Sequence, residues 1–153
     1  LLVAEHAGAA PVAEPFHNAY WTTAHATAAG KDDALAQAVD GRRVLVMYHG
    51  SAQLPDGLEP IVVDDSGRWI AVRPDSLCYG ILFRPEMKPG MLEDIIMEAK
   101  REVPPNMDEL LSTTRQEWDN MQRTTDLVLV ALVKELSLMQ ERHKPPVFNL
   151  KVE

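Results

Sequence analysis

Short apolar runs separated by turn residues dominate the middle of the chain, a pattern typical of antiparallel strands. The apolar runs cover residues 43–49, 58–64, 68–73 and 77–83. Asp64-Asp65-Ser66-Gly67 divides the second run from the third, and Gly67 suits the positive φ that a tight turn requires. The sequence therefore predicts a small antiparallel β-meander of about four strands over residues 42–83.

Beyond residue 88 the spacing of the apolar positions changes to that of a helix. A helix over residues 89–103 puts one apolar set on a single face: Met91, Leu92, Ile95, Ile96 and Ala99. Pro104-Pro105 ends this helix, because proline lacks the amide hydrogen that an interior helical residue donates.

A long C-terminal helix is predicted over residues 106–143. Its seam alternates spacings of four and three, as in a heptad repeat, at positions 107, 111, 114, 118, 121, 125, 128 and 132. The second half is apolar on nearly every side, which is typical of a helix buried in a core or an oligomer. Two alternatives stay open. In the first, residues 127–133 form a strand, because β-branched residues favour strands. In the second, the helix breaks at residues 123–126, where Asp126 can cap a new helix.

The first forty residues are rich in alanine and predict helices. Residues 1–15 are expected to be a flexible arm, residues 16–28 an N-terminal helix, and residues 31–39 a second helix capped by Asp32 or Asp33. At the other end, residues 144–153 are expected to form an extended tail. The whole pattern predicts the α+β class, with one domain over residues 16–143.

Composition and charge limit the classes of partner. The chain of 153 residues has 15 Lys+Arg against 23 Asp+Glu and a net charge of −8, which argues against nucleic acid and anionic membrane surfaces as partners. Its longest apolar run, residues 127–133, is too short to cross a bilayer. The single cysteine, Cys78, is compatible with a cytoplasmic, reducing compartment, although a removed targeting segment stays open.

One polar cluster suggests chemistry. Tyr48-His49-Gly50-Ser51 follows the first predicted strand, so Tyr48, His49 and Ser51 are candidate catalytic residues of a small transferase or hydrolase. The His-Gly-Ser step resembles the opening motif of the ADP-ribosyltransferases, which hold a dinucleotide there. The other interpretation is structural: Gly50-Ser51 starts a loop, and His49 is a residue at the edge of a strand.

Metal and phosphate motifs are missing from the sequence. His17 and His25 are eight residues apart, too far along a helix to share one ion, and the CxxC, HExxH, EF-hand, GxGxxG and Walker patterns do not occur. Cys78 lies in an apolar strand pattern, where a thiol is usually inert. We therefore expect no metal and no cofactor.

The most informative feature is the long helix. We expect a non-catalytic adaptor or assembly protein that forms a homodimer or binds a protein partner through that helix. The expected interface residues are Leu111, Trp118, Met121, Val128 and Leu132. The low pI, a helix before a meander and an amphipathic C-terminal helix together resemble a bacterial secretion chaperone.

Overall fold

The computed structural model of the protein describes residues 2–9, 12–98 and 105–139. The described strands are β1 (Val12–Thr23), β2 (His25–Ala26), β3 (Arg43–Ser51), β4 (Pro60–Val63), β5 (Trp69–Asp75) and β6 (Cys78–Ile81). The described helices are α1 (Leu2–His6), α2 (Ala34–Val39), α3 (Pro89–Glu98), α4 (Met107–Gln116) and α5 (Trp118–Glu135). All strand pairs are antiparallel, so the predicted α+β class is confirmed.

The strands form two sheets that are hydrogen-bonded to each other. β1 pairs with β3 in the first, and β2-β4-β5-β6 is the order of the second. β1 runs into β2 through Ala24, so one stretch of chain belongs to both sheets. On the other side, Leu82 donates its amide to Ile70 and accepts the amide of Met47, which ties the segment after β6 to β5 and to β3. The sheets are therefore joined at two places.

The predicted meander is confirmed for β4, β5 and β6, which follow one another as hydrogen-bonded neighbours. The turn between β4 and β5 is the predicted one: Gly67 has φ of 79° and donates its amide to the carbonyl of Asp64 over 2.9 Å. The remaining predicted strand, β3, pairs instead with β1, and it touches the end of the meander through a bridge between Val46 and Phe83.

The predicted N-terminal helix over residues 16–28 is wrong, because this part of the chain is strands β1 and β2. The helix propensity of these residues is small enough for tertiary contacts to outweigh it. As a strand, β1 forms a ladder of hydrogen bonds to β3, in register from His17↔His49 to Thr23↔Arg43. Part of the expected arm has structure as well, since α1 and the start of β1 fall within residues 1–15. The second predicted helix exists as α2, and Asp33 caps it by accepting the amide of Ala36.

β3 is buried on both faces and separates two apolar clusters. Val44 and Val46 pack with α2, the second sheet and Val128 of α5. Leu45 and Met47 pack on the other face with residues of α3 and α4 and with Met121 of α5. Because successive side chains of a strand point to opposite faces, this alternation follows from the strand geometry alone. α5 contributes to both clusters.

The structure has a long C-terminal helix, α5, but the predicted run over 106–143 is divided. α4 ends and α5 begins at Glu117, not at residues 123–126, and Glu117 has φ of −88° and ψ of 5°. Each helix has its own tertiary anchor: Trp21 of β1 donates to Thr114 of α4, whereas Glu135 of α5 binds Arg73. α5 ends at Glu135, and Ser137 follows with φ of 49°. Residues 99–103, 140–143 and the expected tail 144–153 lie outside the described residues.

An ion-pair network ties α2, β5, β6 and α5 together. Arg73 donates through Nη1 to Asp33 over 2.8 Å and to Glu135 over 2.9 Å. Tyr79 donates its hydroxyl to the same Asp33 oxygen over 2.7 Å, and the guanidinium of Arg73 lies 4.9 Å from the centre of the Tyr79 ring. Burial and the hydrogen bond to Asp33 raise the pKa of Tyr79, so its hydroxyl remains a donor at neutral pH.

Replacing Arg73 should strongly destabilise the fold. In Arg73→Ala, the carboxylates of Asp33 and Glu135, whose side chains are 5% and 21% exposed, remain close together without their shared cation. We expect a loss of roughly 3 kcal/mol in the free energy of unfolding, measured by urea denaturation.

Arg115→Ala is the matched control, because Arg115 pairs with Glu93 at the surface, where its side chain is 62% exposed. That variant should lose less than about 1 kcal/mol. Equal losses in the two variants would contradict a structural role for the Arg73 network.

Candidate functional site

Strand β3 separates Tyr48 from His49 in the Tyr48-His49-Gly50-Ser51 segment. Tyr48 packs with the apolar cluster that contains Val44 and Val46. His49 follows Tyr48 directly on β3, so strand geometry directs it to the opposite face. Ser51 is the last residue of β3, where its backbone partner is Val12. The strand therefore places Tyr48 and His49 on opposite faces, whereas the side chain of Ser51 lies outside the described residues.

A cavity lies on the Tyr48 side of β3. It has a volume of about 430 Å³ and is named here the aromatic cavity. Its lining residues are Tyr20, Tyr48, Ala52, Gln53, Leu54, Pro60, Gly67, Arg68, Trp69 and Leu82. This volume falls within the range of small-molecule sites, roughly 300–1,000 Å³.

The aromatic walls of this cavity are held in defined positions. The rings of Tyr20 and Tyr48 meet edge to face, with centroids 6.5 Å apart and planes at 85°. They lie on neighbouring strands, two positions apart in the β1–β3 register, and so share a face. Trp69 donates its indole hydrogen to the carbonyl of Ala52 over 2.9 Å, which ties the loop after β3 to β5.

Asp64 organises the polar edge of the cavity. Its carboxylate accepts hydrogen bonds from the Tyr20 hydroxyl, from Arg68 Nε, and from the amides of Ser66 and Arg68, all between 2.8 and 2.9 Å. Burial by itself would raise the pKa of Asp64, but these donors outweigh it and lower the pKa. Burial and the bond to Asp64 raise the pKa of Tyr20, so that hydroxyl stays protonated. The guanidinium of Arg68 lies 4.6 Å from the centre of the Tyr20 ring.

Asp65, the next residue in the turn, holds the hairpin against β1 and β2. Its carboxylate accepts from the amide of Thr23 and the hydroxyl of Thr22, and it bonds His25 Nε2 over 2.9 Å. The amide of Thr23, His25 and the hydroxyl of Thr22 lower the pKa of Asp65 well below its usual range. The sequence pattern identifies Asp64 and Asp65 only as turn residues. Their partners on β1 and β2 do not follow from the pattern, because it predicts a helix over residues 16–28.

The predicted interface residues face the protein's own core. Met121 and Val128 are 2% and 3% exposed, and Leu111, Trp118 and Leu132 pack partly buried against the two apolar clusters. The outer face of α5 carries other apolar side chains, Leu127, Leu129 and Val130, which are 38%, 55% and 67% exposed. At 3.6 residues per turn, Val130 lies on the side of the helix opposite Met121 and Val128. The heptad seam therefore identified the inner face of the helix.

Residues 2–9, 12–98 and 105–139 carry neither a metal-site arrangement nor a membrane-spanning helix. In these ranges no group of three or more histidine, cysteine, aspartate or glutamate side chains has the arrangement of a metal site. The helices there are all too short or too polar to cross a bilayer. Cys78 is half-buried on β6 and forms no hydrogen bond with a histidine in the described parts of the chain.

Comparison with known proteins finds likeness in structure only. No protein-family model and no curated protein sequence matches the chain. The crystal structure of SMU.1228c is similar with a TM-score of 0.64 at 15% identity, over 86% of this chain and 59% of that one. The crystal structure of a glutamine amido transferase from Methylobacillus flagellatus is similar with a TM-score of 0.65 at 16% identity, over 94% of this chain and 62% of that one. At these identities the likeness concerns the fold, and the chain spans about three fifths of each neighbour's length.

Acid should destabilise the fold through Asp64 and Asp65. The pKa values of both carboxyls are lowered in the folded protein. Their contribution is therefore present above the unfolded pKa of about 3.9 and is lost as the pH falls through the folded values. We expect the free energy of unfolding in urea to decrease from about pH 5 towards pH 2. Asp64→Asn should flatten this decrease.

Asp119→Asn provides the control, since Asp119 is an exposed residue of α5 without a salt bridge to another described residue. It should keep the pH dependence of the parent protein. A profile for Asp64→Asn that parallels the parent at every pH would exclude the proposed role of Asp64.

Proposed function

We propose that the protein is a non-catalytic assembly protein that self-associates through the outer face of α5. The observation that carries this proposal is the exposure of Leu127, Leu129 and Val130 within four consecutive positions of one helix. Single exposed apolar residues are normal on protein surfaces, whereas a contiguous group is typical of an interaction site. Burying each such side chain contributes roughly 1.5–3 kcal/mol before the costs of association.

The surface beside this apolar face supports the same proposal. Leu129 also lines an apolar groove of about 310 Å³ between α5 and residues 81–86. Ile81, Phe83 and Leu132 are among the other side chains of the groove. A partner helix that covers Leu129 would therefore meet further apolar side chains of this groove, whose lining also includes Arg84 and Glu86.

Charges at the two ends of the apolar face favour a second copy of the chain as the partner. Asp126 and Lys134 lie four residues before and four residues after Val130, and both are exposed. When two α5 helices pack antiparallel around a two-fold axis at Val130, Asp126 of each copy lies opposite Lys134 of the other. Neither side chain forms a salt bridge with another described residue, so both are available for this pairing.

Fold likeness alone does not bring glutamine amido transferase activity to this chain, because one fold hosts many functions. A covalent route to amide transfer needs a nucleophile within hydrogen-bond reach of a base. Cys78 has no such contact with a histidine in the described ranges. The alternative transferase or hydrolase site is likewise less favoured, because β3 directs Tyr48 and His49 to opposite faces.

Val130→Asp should break the association. The variant puts a charge at the centre of the proposed interface while leaving the core untouched, because Val130 is 67% exposed. Light scattering across a hundredfold range of concentration should show a dimer for the parent protein and a monomer for the variant. Ser112→Asp, with the same added charge at an exposed position of α4, should keep the dimer.

Charge exchange gives a sharper test of the antiparallel geometry. Asp126→Lys and Lys134→Asp should each weaken the dimer, because each variant places like charges opposite one another. The double variant should restore it. Residues 126 and 134 are more than two turns apart in one helix, so a rescue comes from pairing between copies. A monomeric parent protein, or a double variant no better than either single one, would contradict the proposal.

A further inference from the structure

We propose that the aromatic cavity is a binding site for a small molecule with a flat aromatic body and one carboxylate. The cavity is independent of the face of α5 discussed above, because none of its lining residues belongs to that helix. Among the described residues, Tyr20, Tyr48 and Trp69 line it, together with the apolar side chains of Leu54, Pro60 and Leu82. Rings of this kind hold a flat ligand by stacking and by edge-to-face contact.

Arg68 determines the charge of the ligand. It is the only charged side chain among the described lining residues, and it is 55% exposed. Its Nε atom is bonded to Asp64, whereas its two Nη atoms have no hydrogen bond to the described part of the chain. A guanidinium offers its Nη hydrogens in a planar arrangement that matches the two oxygens of a carboxylate.

Asp64 does not reverse this preference, although it is an acidic neighbour of the cavity. Its oxygens already accept four hydrogen bonds, from Tyr20, Ser66 and twice from Arg68, and its side chain is 1% exposed. A cationic ligand would therefore lie beside the like charge of Arg68 and would find no oxygen of Asp64 available to accept its hydrogen bonds. The bond from Arg68 Nε to Asp64 and the contact with the Tyr20 ring also hold the guanidinium in place before a ligand arrives.

Gln53 adds a polar group to the wall of the cavity. Gln53 is exposed and provides a side-chain amide at the rim. Trp69 anchors the preceding residue, Ala52, through its carbonyl, so the rim and the aromatic wall are joined by a hydrogen bond. The site is thus largely formed before binding, as small-molecule sites usually are.

Three probes of one shape test the charge preference: 1-naphthoate, its neutral amide 1-naphthamide, and the cation 1-naphthylmethylammonium. Binding is measured by isothermal titration calorimetry and by ligand-observed saturation-transfer NMR on the full chain. We expect 1-naphthoate to bind at least about tenfold more tightly than the amide, and the cation to bind least. Equal binding of the three probes, or no binding of 1-naphthoate, would overturn the proposal.

Variants locate the site. Arg68→Gln should weaken 1-naphthoate binding at least about tenfold and leave the amide little changed, whereas Arg68→Lys should retain part of the preference for the acid. Ala52→Trp should block all three probes by filling the cavity, and it keeps the backbone carbonyl that accepts from Trp69. Arg115→Gln, at an exposed arginine of α4, should bind like the parent.

Circular dichroism establishes that each variant is folded. If Arg68→Gln does not fold, Arg68→Lys and Ala52→Trp decide the matter by themselves. Unchanged 1-naphthoate binding in a folded Ala52→Trp protein would overturn the assignment of the site.

Discussion

The contact on which the rest of this structure depends is the sharing of Arg73 between Asp33 and Glu135. These three residues come from β5, from the cap of α2 and from the last turn of α5, so a single guanidinium fixes two helices against the second sheet. The carboxylates are close enough to repel each other without it. Because α5 also supplies Met121 and Val128 to the two apolar clusters, the position of its C-terminal end affects the packing on both faces of β3.

β3 separates two kinds of surface within one small domain. On one face, Tyr48 joins Tyr20 at an aromatic cavity whose polar edge is organised by Asp64 and Arg68. On the other, Leu45 and Met47 pack in an apolar cluster with residues of α3 and α4. Strand alternation places the side chains of Tyr48 and His49, which are adjacent in sequence, on opposite faces of β3. Arg68 at the edge of this cavity is paired with Asp64 through its Nε atom over 2.9 Å.

The structural neighbours include a glutamine amido transferase, yet they agree with this chain in fold at 15% and 16% identity. Function resides in sites rather than in folds. The two proposed sites therefore stand on local observations: an apolar face on α5 with oppositely charged residues on either side of its centre, and an aromatic cavity with one arginine. The first is a proposal about association between copies and the second a proposal about ligand binding, so each can be wrong without the other.

The sequence by itself determined the features that depend on local periodicity. The strands of the meander, the turn at Gly67, the cap at Asp33 and the presence of a long C-terminal helix follow from alternation, turn chemistry and capping, which act over a few residues. Only the tertiary structure decided the rest. Residues 16–23 became strand because β3 offered a partner for them, and α4 and α5 separated at Glu117 because each is anchored elsewhere. The seam at Met121 and Val128 marked a buried face, but periodicity cannot distinguish a helix's own core from a partner.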